Sequence, residues 1–418
     1  MTDLLTRWRQ MSMAWLVFFV IVVDLIGFGI VIPILPFLSP LLGGGTDDIA
    51  FILVTYSVAA AIVAPVWGRL SDRFGRRSIL GICLLGGAGS HFLLAAADTL
   101  WMVYLSRGVA GMMAGGVPVA TALIADVSTP DQRSRAMGLI GRAFGVGLIL
   151  GPVIGGLLAR SEADFTLPCI VAGVLSGAAA LLAVLLLPSS APSAVTNVEE
   201  EGFMPEPSSL RQLLVQPSLI LFVCQFALHT CAVSAAVYLF PLWVAAELGW
   251  QAREVGLFFG LVGVVMIVTQ GNILGRMTDR FGNIWVLRGA TVAFSGSLAV
   301  SATVSGSWEM GILGLAVFSA ATLCLPVLNT VASHLVPPAM RGQFFGVTAS
   351  SAATGRILGP LLASSLLASG GFPLAWQGAS GVVALVVLWS MTAGGKLSGL
   401  AANFPELSSA QSLSLIHI

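Results

Sequence analysis

Apolar residues run along this chain in long unbroken stretches, with polar residues gathered into short interruptions between them. A helix needs about 20 apolar residues to cross the hydrocarbon core of a bilayer. Twelve runs of that kind can be marked: 14–37, 49–67, 79–96, 100–124, 136–159 and 166–187, then 217–244, 254–275, 284–304, 309–333, 343–369 and 373–392. Between the sixth and seventh lies a polar stretch with Pro188, Pro192, Pro205 and Pro207 and the acids Glu199, Glu200 and Glu201. That composition suits a flexible linker. The pattern predicts an all-α integral membrane protein, with twelve transmembrane helices in two pseudo-symmetric six-helix bundles. The bundles are residues 1–187 and 217–392, joined by a linker at 188–216 and followed by a tail at 393–418. The final residues, Leu413 to Ile418, match nothing else in the chain and read as a non-native addition.

The two halves repeat one another. Gly68-Arg69-Leu70-Ser71-Asp72-Arg73-Phe74-Gly75 returns 207 positions later as Gly275-Arg276-Met277-Thr278-Asp279-Arg280-Phe281-Gly282. Leu150-Gly151-Pro152 returns 208 positions later as Leu358-Gly359-Pro360, and Arg133 returns as Arg341 at the same offset. Duplicated bundles in a membrane chain point to a transporter, because two similar halves can rock about a site between them.

Composition narrows the class. Hydrophobic residues make up 57% of the chain and charged residues 9%, against about 25% charged in soluble domains. Basic and acidic residues balance at 19 each, so charge gives no argument for a nucleic-acid partner. The five cysteines all fall inside apolar runs without metal-ligand spacing and read as small core residues. No paired carboxylates, nucleotide loop or nucleophile–base arrangement is present, so neither an enzyme nor a cofactor is expected. The expected partners are a small-molecule substrate, protons and the lipid bilayer, with the monomer as the working unit. Basic residues fix the orientation. Fourteen lie in loops on one side and two, Arg160 and Arg253, on the other. That bias puts both termini and the linker in the cytoplasm.

Three groups of residues carry candidate chemistry. In the loop after the second span, Gly68 and Gly75 permit close approach and a tight turn. Asp72 stands there among Arg69, Arg73, Arg76 and Arg77, placed to accept charge-assisted hydrogen bonds and latch the halves together. Asp279 is its repeat counterpart. An ordinary positive-inside loop accounts for the arginines but not for the aspartate, the glycines or their recurrence. In span 5, Gly147, Gly151, Gly155 and Gly156 put small residues on overlapping faces, and Pro152 removes one backbone hydrogen bond. The result is either a hinge or plain close packing. Asp24 is the one acid placed deep in a span, where a carboxylate is costly when charged and readily takes up a proton. The competing reading is a structural hydrogen bond, which needs a buried partner.

Arg107, Arg142 and Arg356 also fall within spans. Arg107 either biases a nearby carboxylate, binds an anion or snorkels to the outer surface. For the substrate-site wall, the candidates are Phe28, Gln225, His229, Phe240, Asn329 and Arg356. Gln225 and His229 lie one helical turn apart. Each polar residue alone is as readily a helix–helix hydrogen bond.

The loop 68–80 resembles the signature loop of the major facilitator superfamily, and the resemblance covers essentially the whole chain. The first half is most similar to the drug–proton antiporters of the bacterial tetracycline-exporter type. It shares DLIGFGIVIPILP (24–36), YLSRGVAGMMAG (104–115), LIADVS (123–128) and the span-5 antiporter stretch GVGLILGPVIGG (145–156). The resemblance implies that Asp72 and Arg76 carry the loop's charge network, that Asp126 pairs with Arg76, and that Arg107 takes part in proton transfer. It implies a bacterial inner-membrane antiporter that exports small amphipathic compounds, such as tetracyclines, by alternating access. The chain departs from that pattern at Arg142 and Arg356, and at Met266 and Ala293 where a histidine and an aspartate stand. One acid against up to three intramembrane arginines leaves open the movement of an anionic metabolite, and the abundant glycine with an apolar cavity leaves open lipid flipping.

Overall fold

A computed structural model describes residues 2–127, 130–159, 164–187, 217–304, 308–335 and 341–402. The linker 188–216, Arg160 and the end of the tail lie outside the described residues. What is described is helical, as lipid demands: inside a bilayer no water satisfies backbone N–H and C=O groups, so each segment must satisfy its own.

The first unit runs α1 (Thr2–Val31), α2 (Leu35–Leu41), α3 (Thr46–Phe74), α4 (Arg76–Ala95), α5 (Leu100–Met112), α6 (Gly116–Val127), α7 (Pro130–Leu158) and α8 (Thr166–Leu186). Then follow α9 (Pro217–Leu248), α10 (Ala252–Val268), a π-helical turn (Thr269–Ile273), α11 (Leu274–Phe281), α12 (Asn283–Ser301), α13 (Glu309–Leu335) and α14 (Arg341–Ala402). Ten described helices are long and apolar enough to cross a membrane, and Arg142–Leu158 is a shorter apolar one. One of the ten, Gln343–Thr392, has 50 residues. Straight, it would measure about 75 Å, more than twice the ~30 Å hydrocarbon core. It breaks at Gly370 and at Gly371, where φ is +70°, so it supplies two arms.

Two other apolar runs are interrupted where the sequence pattern predicts continuous spans. The first run stops at Val31 and resumes at Leu35, around Pro33 and Pro36. The fourth stops at Met112 and resumes at Gly116, across Met113, Ala114 and Gly115. That break exposes the Met112 carbonyl, and the Trp67 indole Nε1 of α3 donates to it at 2.6 Å. An orphaned backbone acceptor is thereby satisfied by a side chain instead of by the helix.

The chain divides into two compact units. The first holds residues 1–198 together with Trp250–Val264; the second holds 199–249 and 265–418. The sequence division at 188–216 assigns Trp250–Val264 to the second half, whereas in the structure it packs with the first. The reason is a small-residue seam. A Cβ added at Gly156 would meet the Ala252 carbonyl at 2.8 Å, and side chains added at Gly256, Gly260 and Gly263 would strike Pro152, Val153 and Ile149.

Within each unit the repeat is physical as well as textual. A Cβ at Gly151 of α7 would lie 2.6 Å from the Gly29 Cα of α1, and one at Gly155 would strike the Ile30 carbonyl. Gly147, where a Cβ would strike Leu25 of α1, and Gly151 recur 208 residues on as Gly355 and Gly359 of α14, where side chains would strike the Ala227 and Cys231 carbonyls of α9. Backbone-to-backbone approach of this kind is how small residues drive helix association in lipid. Each unit has its own apolar core. One includes Ile21, Leu80, Leu84, Ala120 and Ala180, and the other Phe222, Phe226, Leu328 and Phe344.

Candidate functional site: a carboxylate beside a broken helix

Asp24 sits in the last third of α1, part-buried, facing α8 and the break between α5 and α6. The approach of α8 depends on Gly27, where a Cβ would meet the Ala172 carbonyl at 3.0 Å and Ser176 Oγ at 3.1 Å. With nothing at Gly27 in the way, Ser176 donates its hydroxyl to Asp24 Oδ1 at 2.9 Å. The other carboxylate oxygen looks toward Gly116, the first residue of α6, where an added Cβ would lie 3.8 Å away. One carboxylate oxygen is therefore held and the other faces the start of the second half of a split helix. This is the buried partner that a structural reading of Asp24 requires, and it is also an arrangement in which one oxygen stays free to exchange a proton.

Arg107 is not part of this group. It lies on α5, on the other side of the Met113–Gly115 break from Gly116. Arg107 does not snorkel either, being 3% exposed. Its Nη2 donates to Ser106 Oγ at 3.1 Å, and Ser106 in turn donates to the Ser90 carbonyl at 3.0 Å. Among the described residues neither its Nε nor the Nδ1 of nearby His91 has a hydrogen-bond partner. Among the described residues no carboxylate lies within ion-pair distance of Arg107.

The loop charges cluster around Arg76 at the start of α4. Its Nη2 is 2.6 Å from Asp72 Oδ1 and its Nε is 3.1 Å from Asp126 Oδ2. Its Nη1 donates to Ser71 Oγ at 2.5 Å. Gly75, between α3 and α4, has φ +90°, and its counterpart Gly282 has φ +79°, a region that side-chain-bearing residues avoid. Gly68 meets open space, so no close helix approach occurs there. Arg73 stacks on Phe74 at 5.4 Å. Asp279 is exposed on α11 with no ion pair among the described residues.

The proposed substrate-wall residues scatter. Gln225 and His229 are both buried on α9. Gln225 Nε2 donates to the Leu221 carbonyl at 2.7 Å and leaves its Oε1 without a partner. The His229 ring meets Phe294 edge-on at 5.9 Å. Phe240 is fully buried, covering Gly314 and abutting Phe318, so it is core packing rather than a cavity wall. Phe28 leans on Tyr56 at 5.5 Å. Asn329, Arg142 and Arg356 are exposed. Sequence reasoning passed over Ser176, the Trp67 cap and the π-helical turn. That turn is fastened to α13 by Gln270 Nε2, which donates to the Thr322 carbonyl at 2.9 Å. Single-turn π segments within α-helices recur at functional sites.

The profile of the Major Facilitator Superfamily matches residues 17–273 and 224–406. The chain belongs to this superfamily. It is 29% identical over 367 residues to the class C tetracycline resistance protein of Escherichia coli, covering 87% of this chain and 91% of that one. It is 27% identical to multidrug resistance protein 1 of Bacillus subtilis, covering 82% and 86%. Among solved structures, the human organic anion transporter MFSD10 superposes with a TM-score of 0.67 at 23% identity, over 91% of this chain and 99% of that one. That last likeness speaks to the fold. The superfamily protein described here is thus a multi-pass membrane transporter built from duplicated helical units.

Proposed function

We propose that the chain is a proton-coupled secondary transporter that exports small amphipathic compounds, tetracycline-like antibiotics among them, by alternating access. Asp24, in a membrane-spanning helix with one oxygen held by Ser176, is the observation that carries this reading. The names of its relatives support export of drugs in particular. In this account both termini face the cytoplasm of a bacterium and the protein works as a monomer in the inner membrane. With the cavity open outward, a proton reaches the free oxygen of Asp24. With the cavity open inward, the proton leaves as substrate loads. The driving force is ample: one charge moving through 100 mV supplies about 2.3 kcal/mol before any pH gradient is added.

Arg107 takes a supporting role, as a buried fixed positive charge that cannot shed its proton. The Arg76 cluster with Asp72 and Asp126 stiffens the turn between α3 and α4, and Asp279 is the corresponding group in the second half. The glycine face of α7 and Pro152 supports a hinge between α1 and the Trp250–Val264 segment. The test is a susceptibility panel in a pump-deficient bacterium expressing the chain. Tetracyclines, phenicols, quinolones and organic anions are compared with and without a protonophore. Raised tolerance to at least one amphipathic drug, abolished by the protonophore, supports export. Tolerance unchanged for every compound contradicts it.

A further inference from the structure

The two units repeat in sequence, yet at one place the second departs from the first in a consistent direction. Trp101 and Trp308 keep the 207-residue offset of the repeated loop. At that offset Ile82, Met112 and Met113 of the first unit correspond to Gly289, Ser319 and Ala320 of the second, and Gly86 to Ala293. In the first unit the Met113 side chain lies against Gly86 and fills the space between α4 and α5. In the second unit the larger side chains are gone. A cavity of about 640 Å³ remains, bordered by Met277, Phe281, Ala290, Ala293, Ser319 and Ala320. Its volume falls within the roughly 300–1,000 Å³ of ligand sites.

The same offset pairs Gly81 with Arg288. In the first unit Gly81 lets α4 settle onto Val184, and Arg77 donates to the Val184 carbonyl. In the second, Arg288 occupies the place of that glycine. Its Nε donates to the Ser390 carbonyl at 2.9 Å and its Nη2 reaches the Met391 carbonyl at 3.5 Å. Its guanidinium stacks on Trp285 at 4.8 Å. A second groove of about 450 Å³ opens there, lined by Trp285, Arg288, Gly289, Val292 and Met391. Arginine has five N–H donors, and two are engaged by these carbonyls. Among the described residues no carboxylate pairs with Arg288. Arg276 and Arg280 lie with Asp279 on α11, just before α12.

We infer that this face of the second unit holds an anionic glycerophospholipid of the inner leaflet, its phosphate on Arg288 and its acyl chains in the two grooves beside Gly289. The reasons are those of charge and surroundings. Trp285, Phe281, Val292 and Met391 are all exposed apolar residues on this surface, and in a bilayer such a surface meets lipid chains. A pinned, unpaired guanidinium at the chain–headgroup boundary offers its remaining donors to phosphate oxygens. The anionic leaflet surface favours juxtamembrane arginines further. This inference uses the cytoplasmic placement of the α11–α12 turn from the proposed function, but its readout is lipid binding and not transport.

The test is native mass spectrometry of the purified full-length chain titrated with palmitoyl-oleoyl phosphatidylglycerol or with the phosphatidylcholine bearing the same chains. The wild type is expected to retain phosphatidylglycerol about tenfold more strongly, the size of one lost charge-assisted contact. Arg288→Gln removes that preference, and Arg288→Lys keeps part of it. Gly289→Leu, at a site where an added Cβ meets nothing within 4 Å, fills the grooves without disturbing the helix and weakens both lipids. Equal retention of the two lipids by the wild type, an unchanged preference in Arg288→Gln, or undiminished retention of both lipids by Gly289→Leu overturns the inference.

Discussion

Ser176 on α8 donates its hydroxyl to Asp24 Oδ1 on α1 at 2.9 Å, across a gap that Gly27 keeps open. The two residues are 152 positions apart in the chain. Ser176→Ala leaves one carboxylate oxygen without its donor but leaves the carboxylate itself. The expected cost is modest, about 0.5–1.5 kcal/mol, as for side-chain hydrogen bonds between membrane helices. Melting of the detergent-solubilised variant should shift by a few degrees, and drug export should persist at reduced rate. Complete loss of export in Ser176→Ala would assign the serine more than a holding role.

Trp67 Nε1 donates at 2.6 Å to the Met112 carbonyl that the α5–α6 break exposes. Trp67→Phe keeps most of the ring volume and removes the donor. Loss of one hydrogen bond of this kind costs about 0.5–1.5 kcal/mol, so the variant should melt slightly lower than the wild type. Equal melting temperatures would mean that another group takes over the Met112 carbonyl.

Gly151 and Gly359 form a matched pair for testing the repeat. Valine at either position drives a side chain into the backbone of the facing helix, α1 in one unit and α9 in the other. Overpacking of this kind costs about 1–3 kcal/mol, and more where backbone must move. Both variants should lower thermal stability and stop transport. Gly68→Ala and Gly296→Ala, where nothing lies within 4 Å of the added Cβ, are the controls and should melt like the wild type.

Arg76 is held by Asp72 and Asp126, but the Asp72 side chain is 60% exposed. Exposed ion pairs contribute about 0–1 kcal/mol. A double-mutant cycle between Arg76→Gln and Asp72→Asn, read by thermal melting, should therefore return a small coupling. If the cluster governs the transport cycle, the same substitutions alter transport rate far more than stability. A coupling of several kcal/mol in stability would make the cluster a structural clamp instead.

Much of the architecture is legible in the chain itself. Unbroken apolar runs leave helices as the one economical solution in lipid, and the repeated loop announces duplication. Gly75 and Gly282 announce the turns in which they stand at positive φ. What escaped the pattern depends on partners distant in sequence. Hydropathy runs straight through Met113–Gly115, and the break there is stabilised by an indole 45 residues earlier. Ser176 looks like one more small residue in an apolar span until α8 is laid against Gly27. The placement of Trp250–Val264 follows from a glycine seam with α7 that no single segment reveals. Phe240 reads as an aromatic wall in the sequence, yet the absence of a side chain at Gly314 draws it into the core.

The central claim is that Asp24 carries the proton that drives export. Everted membrane vesicles containing the wild-type chain or Asp24→Asn test it most directly, with tetracycline uptake followed as an imposed pH gradient is applied and then collapsed. The account predicts gradient-dependent accumulation by the wild type, and none above the empty-vesicle level for Asp24→Asn present in the membrane in equal, folded amount. Undiminished uphill accumulation by Asp24→Asn would contradict it.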